Sequence, residues 1–351
     1  MIRVVVVDDS AFMRKALTTM LEKDPDIKVV ATARNGEEGL EVVRKHDPDV
    51  VTLDIEMPKM DGLTALRHIM MEMPRPVLMI SSLTTEGAES TLKAMELGAV
   101  DFIPKQLANV SLEIVKIEKD LQQKVKCISR RKIRAPRAKR APVSAAKPAP
   151  RAAMPTMQGR PKRDVLAIGV STGGPPAVQK VLSKLPANFP AAILIAQHMP
   201  AAFTGPFAKR LDSVCKIKVK EAEGTEPVSP GTAYIAPGGK HIILQQRGSR
   251  MEVAVCEEPS DALYKPSANV LIESVAKTTG RRAVGAILTG MGSDGALGIR
   301  ELKNKGGYIL AQNDASCVVY GMPKAIVDAK LADEIVDIDD MAAALMASIY
   351  K

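Results

Sequence analysis

Tryptophan is absent from this 351-residue chain, aromatic residues make up only 3% of it, and it has four cysteines. So few rings leave little from which to build the stacking platforms that hold single-stranded nucleic acid. Cys127, Cys215, Cys256 and Cys317 are far apart and form no C-x-x-C pair. That argues against a disulfide framework or a zinc site and for buried, reduced thiols. Long apolar runs are also missing. Those present, such as Ala191–Ala196, fall far short of the roughly 20 residues that span a bilayer. The opening MIRVVVVDDS places two acids directly after four valines, which is no signal peptide. A cytoplasmic protein with no membrane insertion is expected.

Acidic residues are missing as well, from one stretch. None lies between Asp120 and Asp164, whereas residues 130–163 hold twelve Lys or Arg. These twelve outnumber the whole chain's net charge of +9, so the remainder is mildly acidic. The basicity that would otherwise suggest a nucleic-acid partner belongs to one segment. That segment, 127–163, repeats Ala, Pro, Arg and Lys. Proline blocks helix and sheet, like charges repel, and few large apolar groups offset the ordering entropy. We expect a flexible tether, with a basic docking arm as the alternative.

Domains of about 150 residues predict two of them in a chain this long. Before the tether, apolar runs at Ile2–Val7, Ile27–Ala31, Val50–Leu53, Val77–Ile80 and Val100–Ile103 alternate with helix-length segments at Phe12–Leu21, Glu37–Lys45, Leu63–Met71 and Glu86–Leu97. Such alternation predicts a doubly wound parallel sheet. A last helix, Val110–Lys126, carries apolar residues at Val110, Ile114, Ile117 and Leu121, best explained by packing on its own sheet. After the tether, strands are expected at Val165–Val170, Ala191–Gln197, Ala283–Thr289 and Tyr308–Gln312, and helices near Pro176–Lys184, Ala201–Leu211, Ser267–Thr278 and Ala296–Lys305. Residues 216–257 read as a β insertion with a hairpin around Gln246–Ser249. The expected domains are therefore 1–126, a tether over 127–163, and 164–351, both folded parts being α/β.

Open parallel sheets bind ligands at the carboxyl ends of their strands. Asp8 and Asp9 close the first strand, Asp54 the third and Ser81 the fourth, while Lys105 follows the fifth. Crowded carboxylates need a counter-charge, and a hard cation such as Mg²⁺ supplies it. With a hydroxyl and an ammonium nearby, this set makes a phosphoryl site in which Asp54 could be the acceptor.

These residues resemble a response-regulator receiver domain: Asp8-Asp9, then Asp54 with Met57-Pro58, then Ser81, then Lys105. The resemblance implies a flavodoxin-like fold. It also implies Mg²⁺ held by Asp9, Asp54 and the backbone carbonyl of Glu56, with Asp8 acting through water. Asp54 would be phosphorylated by a histidine kinase, with Ser81, Phe102 and Lys105 as switch residues. Phe102 leaves no hydroxyl at a position that is often Tyr in this family.

In the second half, Gly169-Val-Ser171-Thr-Gly173 matches G-x-S-x-G between a strand and a helix. That turn exposes a serine hydroxyl beside helix N–H groups, although a Gly-rich turn also suits a phosphate cradle. A nucleophilic serine needs a base. Two histidines are available, His198 closing a strand and His241 after Pro237-Gly-Gly-Lys240. Converging strand ends favour His198. An orienting carboxylate could be Asp294, in the glycine-flanked loop after Ala283–Leu288; with His241 it would be Asp212 or Asp261.

The segments IGVSTGGP, QHMP, IAPGGKH, YKPSANVL, LTGMGSDG and VVYGMP, in this order behind a receiver and a basic linker, resemble the CheB family. The resemblance covers essentially the whole chain. It implies a Rossmann-like methylesterase domain in which Ser171, His198 and Asp294 act together and the Met291 N–H forms the oxyanion hole. The activity it implies is protein-glutamate methylesterase and glutamine deamidase on methyl-accepting chemoreceptors. No cofactor is implied for the ester reaction, and a monomer is expected. The resemblance further implies an unphosphorylated receiver that covers the esterase site. A response regulator with a DNA-binding output, or an esterase or amidase for another acyl substrate, are the competing functions. The folded second half is not basic and shows no helix-turn-helix pattern.

Overall fold

A computed structural model describes residues 1–105, 111–129 and 159–351. Most of the expected tether, residues 130–158, lies outside the described residues, as does Val110. The chain divides into two units. Among the described residues, no helix is long and apolar enough to cross a membrane.

The first unit alternates strand and helix throughout. Its strands are β1 (Ile2–Val7), β2 (Ile27–Ala33), β3 (Val50–Asp54), β4 (Val77–Ser81) and β5 (Asp101–Pro104). Its helices are α1 (Ala11–Glu22), α2 (Gly36–His46), α3 (Gly62–Glu72), α4 (Thr85–Glu96) and α5 (Ser111–Ile128). The strand order β2-β1-β3-β4-β5 is that of flavodoxin-like sheets, with a topological switch between β1 and β3. Helices start where a short polar side chain satisfies a free amide. Ser10, Asn35, Asp61 and Thr84 accept from Met13, Glu38, Thr64 and Gly87 respectively, each cap contributing about 1 kcal/mol. Val4 to Val7, all of β3 and all of β4 are buried, as expected for a sheet covered on both faces. Within α5, Leu121 and Val125 are fully buried.

The second unit is a seven-stranded parallel sheet, ordered β15-β14-β13-β6-β7-β10-β8. Its central strands are β6 (Val165–Val170), β7 (Ala192–Gln197) and β13 (Ala283–Ile287), extended by β14 (Tyr308–Gln312) and β15 (Glu334–Val336) on one side. On the other side lie β10 (Thr232–Ile235) and β8 (Lys218–Glu221). Helices α6 (Gly174–Leu182), α7 (Ala201–Val214), α8 (Ala268–Thr278), α9 (Ala296–Asn304), α10 (Met322–Asp328) and α11 (Met341–Tyr350) complete it. Strands β9 (Thr225–Pro227), β11 (His241–Arg247) and β12 (Arg250–Cys256) form a separate antiparallel sheet, ordered β11-β12-β9. The expected hairpin is the β11–β12 turn. The expected insertion is thus two things at once: β8 and β10 belong to the main sheet, and only β9, β11 and β12 stand apart. Short runs with turn residues specify strands but not the sheet they join.

Register positions the site. In the central strands, Gly169 of β6 lies level with Ala196 of β7 and with Ile287 of β13. Residues a few positions further along all three strands therefore emerge at one edge.

Candidate functional site

Two residues beyond that level on β6 and β7 come Ser171 and His198. Neighbouring strands run about 4.8 Å apart, so their side chains meet. His198 Nδ1 lies 3.1 Å from Ser171 Oγ, and His198 Nε2 lies 2.8 Å from Asp294 Oδ2. Backbone bonds lock the three chain segments together: His198 N–H donates to Val170 O at 3.1 Å and Ser171 N–H to Thr289 O at 3.0 Å. The Gln197 side-chain amide donates to the carbonyls of both Ser171 and His198. His198 and Asp294 are nearly buried, with side-chain exposures of 10% and 5%.

Two glycines permit this approach. Gly173, at the start of α6, has φ +73°, and a Cβ there would meet Val318 at 2.3 Å. Gly290 passes so close to the nucleophile that a Cβ would sit 2.7 Å from Ser171 Cβ. The next amide is that of Met291, for which no acceptor exists among the described residues. This amide follows directly on Gly290, whose backbone passes beside Ser171.

Asp294 is held by more than His198. Its Oδ1 accepts from Ser267 Oγ at 2.9 Å and Asn269 N–H at 3.1 Å, and its Oδ2 from Ala268 N–H at 2.6 Å. The carboxylate thus sits on the N-terminus of α8, where amide donors and the helix dipole favour negative charge. Burial alone would raise its pKa. The imidazole and the amides of Ala268 and Asn269 outweigh that and hold it below the usual carboxylate range. With Asp294 ionised, Nε2 carries the imidazole proton and Nδ1 is left free to accept from Ser171. Tyr264 stacks on the His198 ring, centroids 4.2 Å apart and planes 10° from parallel. Sequence reasoning did not single out Tyr264, Ser267 or Asn269. A serine directly before an apolar helix signals an N-cap, but nothing local shows that its hydroxyl turns to a carboxylate in a distant loop.

His241, the other candidate base, bonds Ser267 and not Ser171. It is fully buried, and its Nδ1 accepts from Ser267 N–H at 3.1 Å.

The first unit gathers a different set. Ligand atoms of Asp8, Asp9 and Asp54 lie within 4.8 Å of one another. Asp8 and Asp54 are buried, Asp9 and Glu56 exposed. Lys105 Nζ pairs with Asp54 Oδ2 at 2.6 Å and with Asp8 Oδ2 at 3.3 Å, and neither oxygen has a further partner. Burial, against the pull of Lys105 and with repulsion from Asp8, pushes the Asp54 carboxyl up to about 6. Three hard oxygen donors with one cation between them, and two buried oxygens short of partners, fit a divalent ion such as Mg²⁺. Ser81 is turned to α4, bonding Gly87 O and the Thr91 hydroxyl. Phe102 is buried, with Lys124 Nζ 5.7 Å from its ring centroid and bonded to its carbonyl.

Fold and site together define a two-part α/β protein, an acidic phosphoryl-type pocket in one part and a serine-hydrolase constellation in the other. The response regulator receiver domain family matches residues 4–115, and the CheB methylesterase family matches residues 166–345. The protein-glutamate methylesterase/protein-glutamine glutaminase 2 of Nitratidesulfovibrio vulgaris is 72% identical over 374 residues, covering 100% of both chains. The protein-glutamate methylesterase/protein-glutamine glutaminase of Halalkalibacterium halodurans is 48% identical, covering 97% of this chain and 96% of its own. The crystal structure of the Thermotoga maritima CheB methylesterase catalytic domain superposes with a TM-score of 0.52 at 36% identity, covering 53% of this chain and 98% of that one. The chain belongs to the CheB methylesterase family.

Proposed function

We propose that this chain is a phosphorylation-regulated protein-glutamate methylesterase and protein-glutamine deamidase acting on chemoreceptors. The single observation that carries the reading is the continuous Ser171–His198–Asp294 hydrogen-bond chain at the carboxyl edge of three adjacent strands. Ser171 Oγ attacks the γ-carbonyl of a methylated glutamate while His198 Nδ1 takes its proton. The imidazolium is stabilised by Asp294 and stacked under Tyr264. The Met291 N–H receives the tetrahedral oxyanion, an interaction worth about 3 kcal/mol. His198 returns the proton to departing methanol, or to ammonia when the substrate is a glutamine amide. Water, activated by the same imidazole, then cleaves the acyl-enzyme.

Regulation belongs to residues 1–126, joined through 127–163 to the esterase in 164–351. Asp9, Asp54 and the carbonyl of Glu56 would hold Mg²⁺, with Asp8 beyond a water molecule. When bound, the ion neutralises phosphoryl oxygens. Asp54 is the acceptor from a histidine kinase, and Lys105, already on its Oδ2, compensates the added charge. Ser81 and Phe102 carry the change toward the surface. The unphosphorylated receiver restrains the esterase. The protein works as a cytoplasmic monomer, without nucleic acid and without membrane insertion.

Methanol release from a methylated receptor fragment tests the reading. Ser171→Ala should lower kcat by on the order of 10⁶-fold, and Asp54→Asn should abolish stimulation by a small-molecule phosphodonor with Mg²⁺. Full hydrolysis by Ser171→Ala would discard the site.

A further inference from the structure

His241 is a fully buried histidine that the ester reaction does not use. It begins β11, where it pairs with Cys256 of β12. Nδ1 accepts the Ser267 N–H at 3.1 Å, and the other ring nitrogen, Nε2, is buried with the Pro259 carbonyl as its backbone neighbour. Accepting from an amide requires Nδ1 to be unprotonated, so the ring is neutral with its proton on Nε2. The charged groups around it are Lys265, Asp294 and Glu258. Burial, helped by Lys265, holds it below the usual histidine range and so favours the neutral form.

A leucine of similar volume would fill this position without burying any polar atom. What it would lack is the acceptor. The acceptor sits at a particular place, because Ser267 N–H heads the turn whose next three donors hold Asp294: Ser267 Oγ, Ala268 N–H and Asn269 N–H. The same turn is tied to the loop before β11 by Gly239 N–H donating to Lys265 O, and further along, Leu244 of β11 bonds Ser274 and Thr278 of α8. That loop in turn is anchored near His198, since Gly238 N–H donates to Thr204 Oγ1 of α7.

We infer that His241 is a positioning residue for the ester reaction, its Nδ1 fixing the Ser267–Asn269 turn so that Asp294 aims the His198 imidazole. The inference rests on the esterase reading. It gives the antiparallel β11–β12–β9 sheet a purpose, the bracing of α8, and His241 at the start of β11 sets that brace on the amide heading the Asp294 cradle.

The test compares His241→Leu, which removes the acceptor, with His241→Asn, whose side-chain oxygen can occupy the place of Nδ1. Both are made in the full chain and assayed for methanol release from a methyl-esterified receptor fragment, with thermal unfolding followed in parallel. His241→Leu should lower kcat about 10- to 100-fold, the effect expected for a small misplacement of the base, with KM within about twofold. His241→Asn should recover most of that loss. In an Asp294→Ala background, His241→Leu should cost less than about threefold, because the group it acts through is gone. A full loss in that background, or normal kcat in His241→Leu, would overturn the inference. Ser171→Ala serves as the control: its failure to lose activity would discard the esterase reading itself, a result distinct from either outcome for His241.

Discussion

Two buried carboxylates, Asp54 at the end of β3 and Asp294 in the loop that follows β13, have opposite electrostatic fates. Asp294 has four donors around it and is held below the usual carboxylate range. Asp54 shares one lysine with Asp8, keeps an oxygen with no further partner, and is pushed up to about 6. A carboxylate whose needs are met internally can serve only the groups that meet them, and here that means orienting an imidazole. One left short is open to a cation and a phosphoryl group from outside. The contrast separates a carboxylate satisfied from within the fold from one that is not.

The contrast can be broken at Asp294 first. Asp294→Asn keeps the shape but not the charge that selects the Nε2–H tautomer, and kcat should fall about 10⁴-fold. Restored activity in this variant would mean the carboxylate's charge does not matter. Next comes the approach of the loop. Gly290→Ala places a methyl 2.7 Å from Ser171 Cβ and 2.4 Å from Met322 Sδ, and the resulting shift should cost about 100-fold in kcat.

Smaller effects concern stability. A carboxyl with a depressed native pKa stabilises the fold above its unfolded value of about 3.9, and the contribution disappears as pH falls through the native value. Urea unfolding at pH 7 and pH 3 should therefore show a smaller acid-induced loss in Asp294→Asn than in wild type. For Asp54 the missing partner comes from solution. Mg²⁺ at a hundred times its Kd should stabilise the first unit by about 2.7 kcal/mol, seen as a rise in Tm, and Asp9→Ala, at an exposed position, should remove most of that rise.

Much of this was legible in residue patterns. Apolar runs located β1, β6 and β14 to the residue, because a strand buried on both faces is a continuous apolar run. Strand ends then located Asp54, Ser171, His198 and Asp294, since the carboxyl edge of a parallel sheet is a topological consequence. What did not show was pairing at a distance. Lys218–Glu221 and Thr232–Ile235 look like any short β run, yet they complete the main sheet. The C-terminal β15 is three residues long, too short for a pattern to register. Tyr264 and Ser267 were hidden for a related reason: their partners lie just past β7 and in the loop after β13, at separations no local spacing encodes.

The loop that carries the free amide has one more consequence. Gly290 O accepts from the amides of Gly321 and Met322, and Gly290 N–H donates to Val319 O. Thr289 Oγ1 takes the Val319 N–H. The segment beside the serine is therefore finished by residues that leave the ribosome about thirty positions later. During synthesis the hydroxyl, imidazole and carboxylate can all have emerged while their donor loop still waits for its fastening. A chain terminated before that late stretch would lack every one of these fastenings on the loop beside the serine.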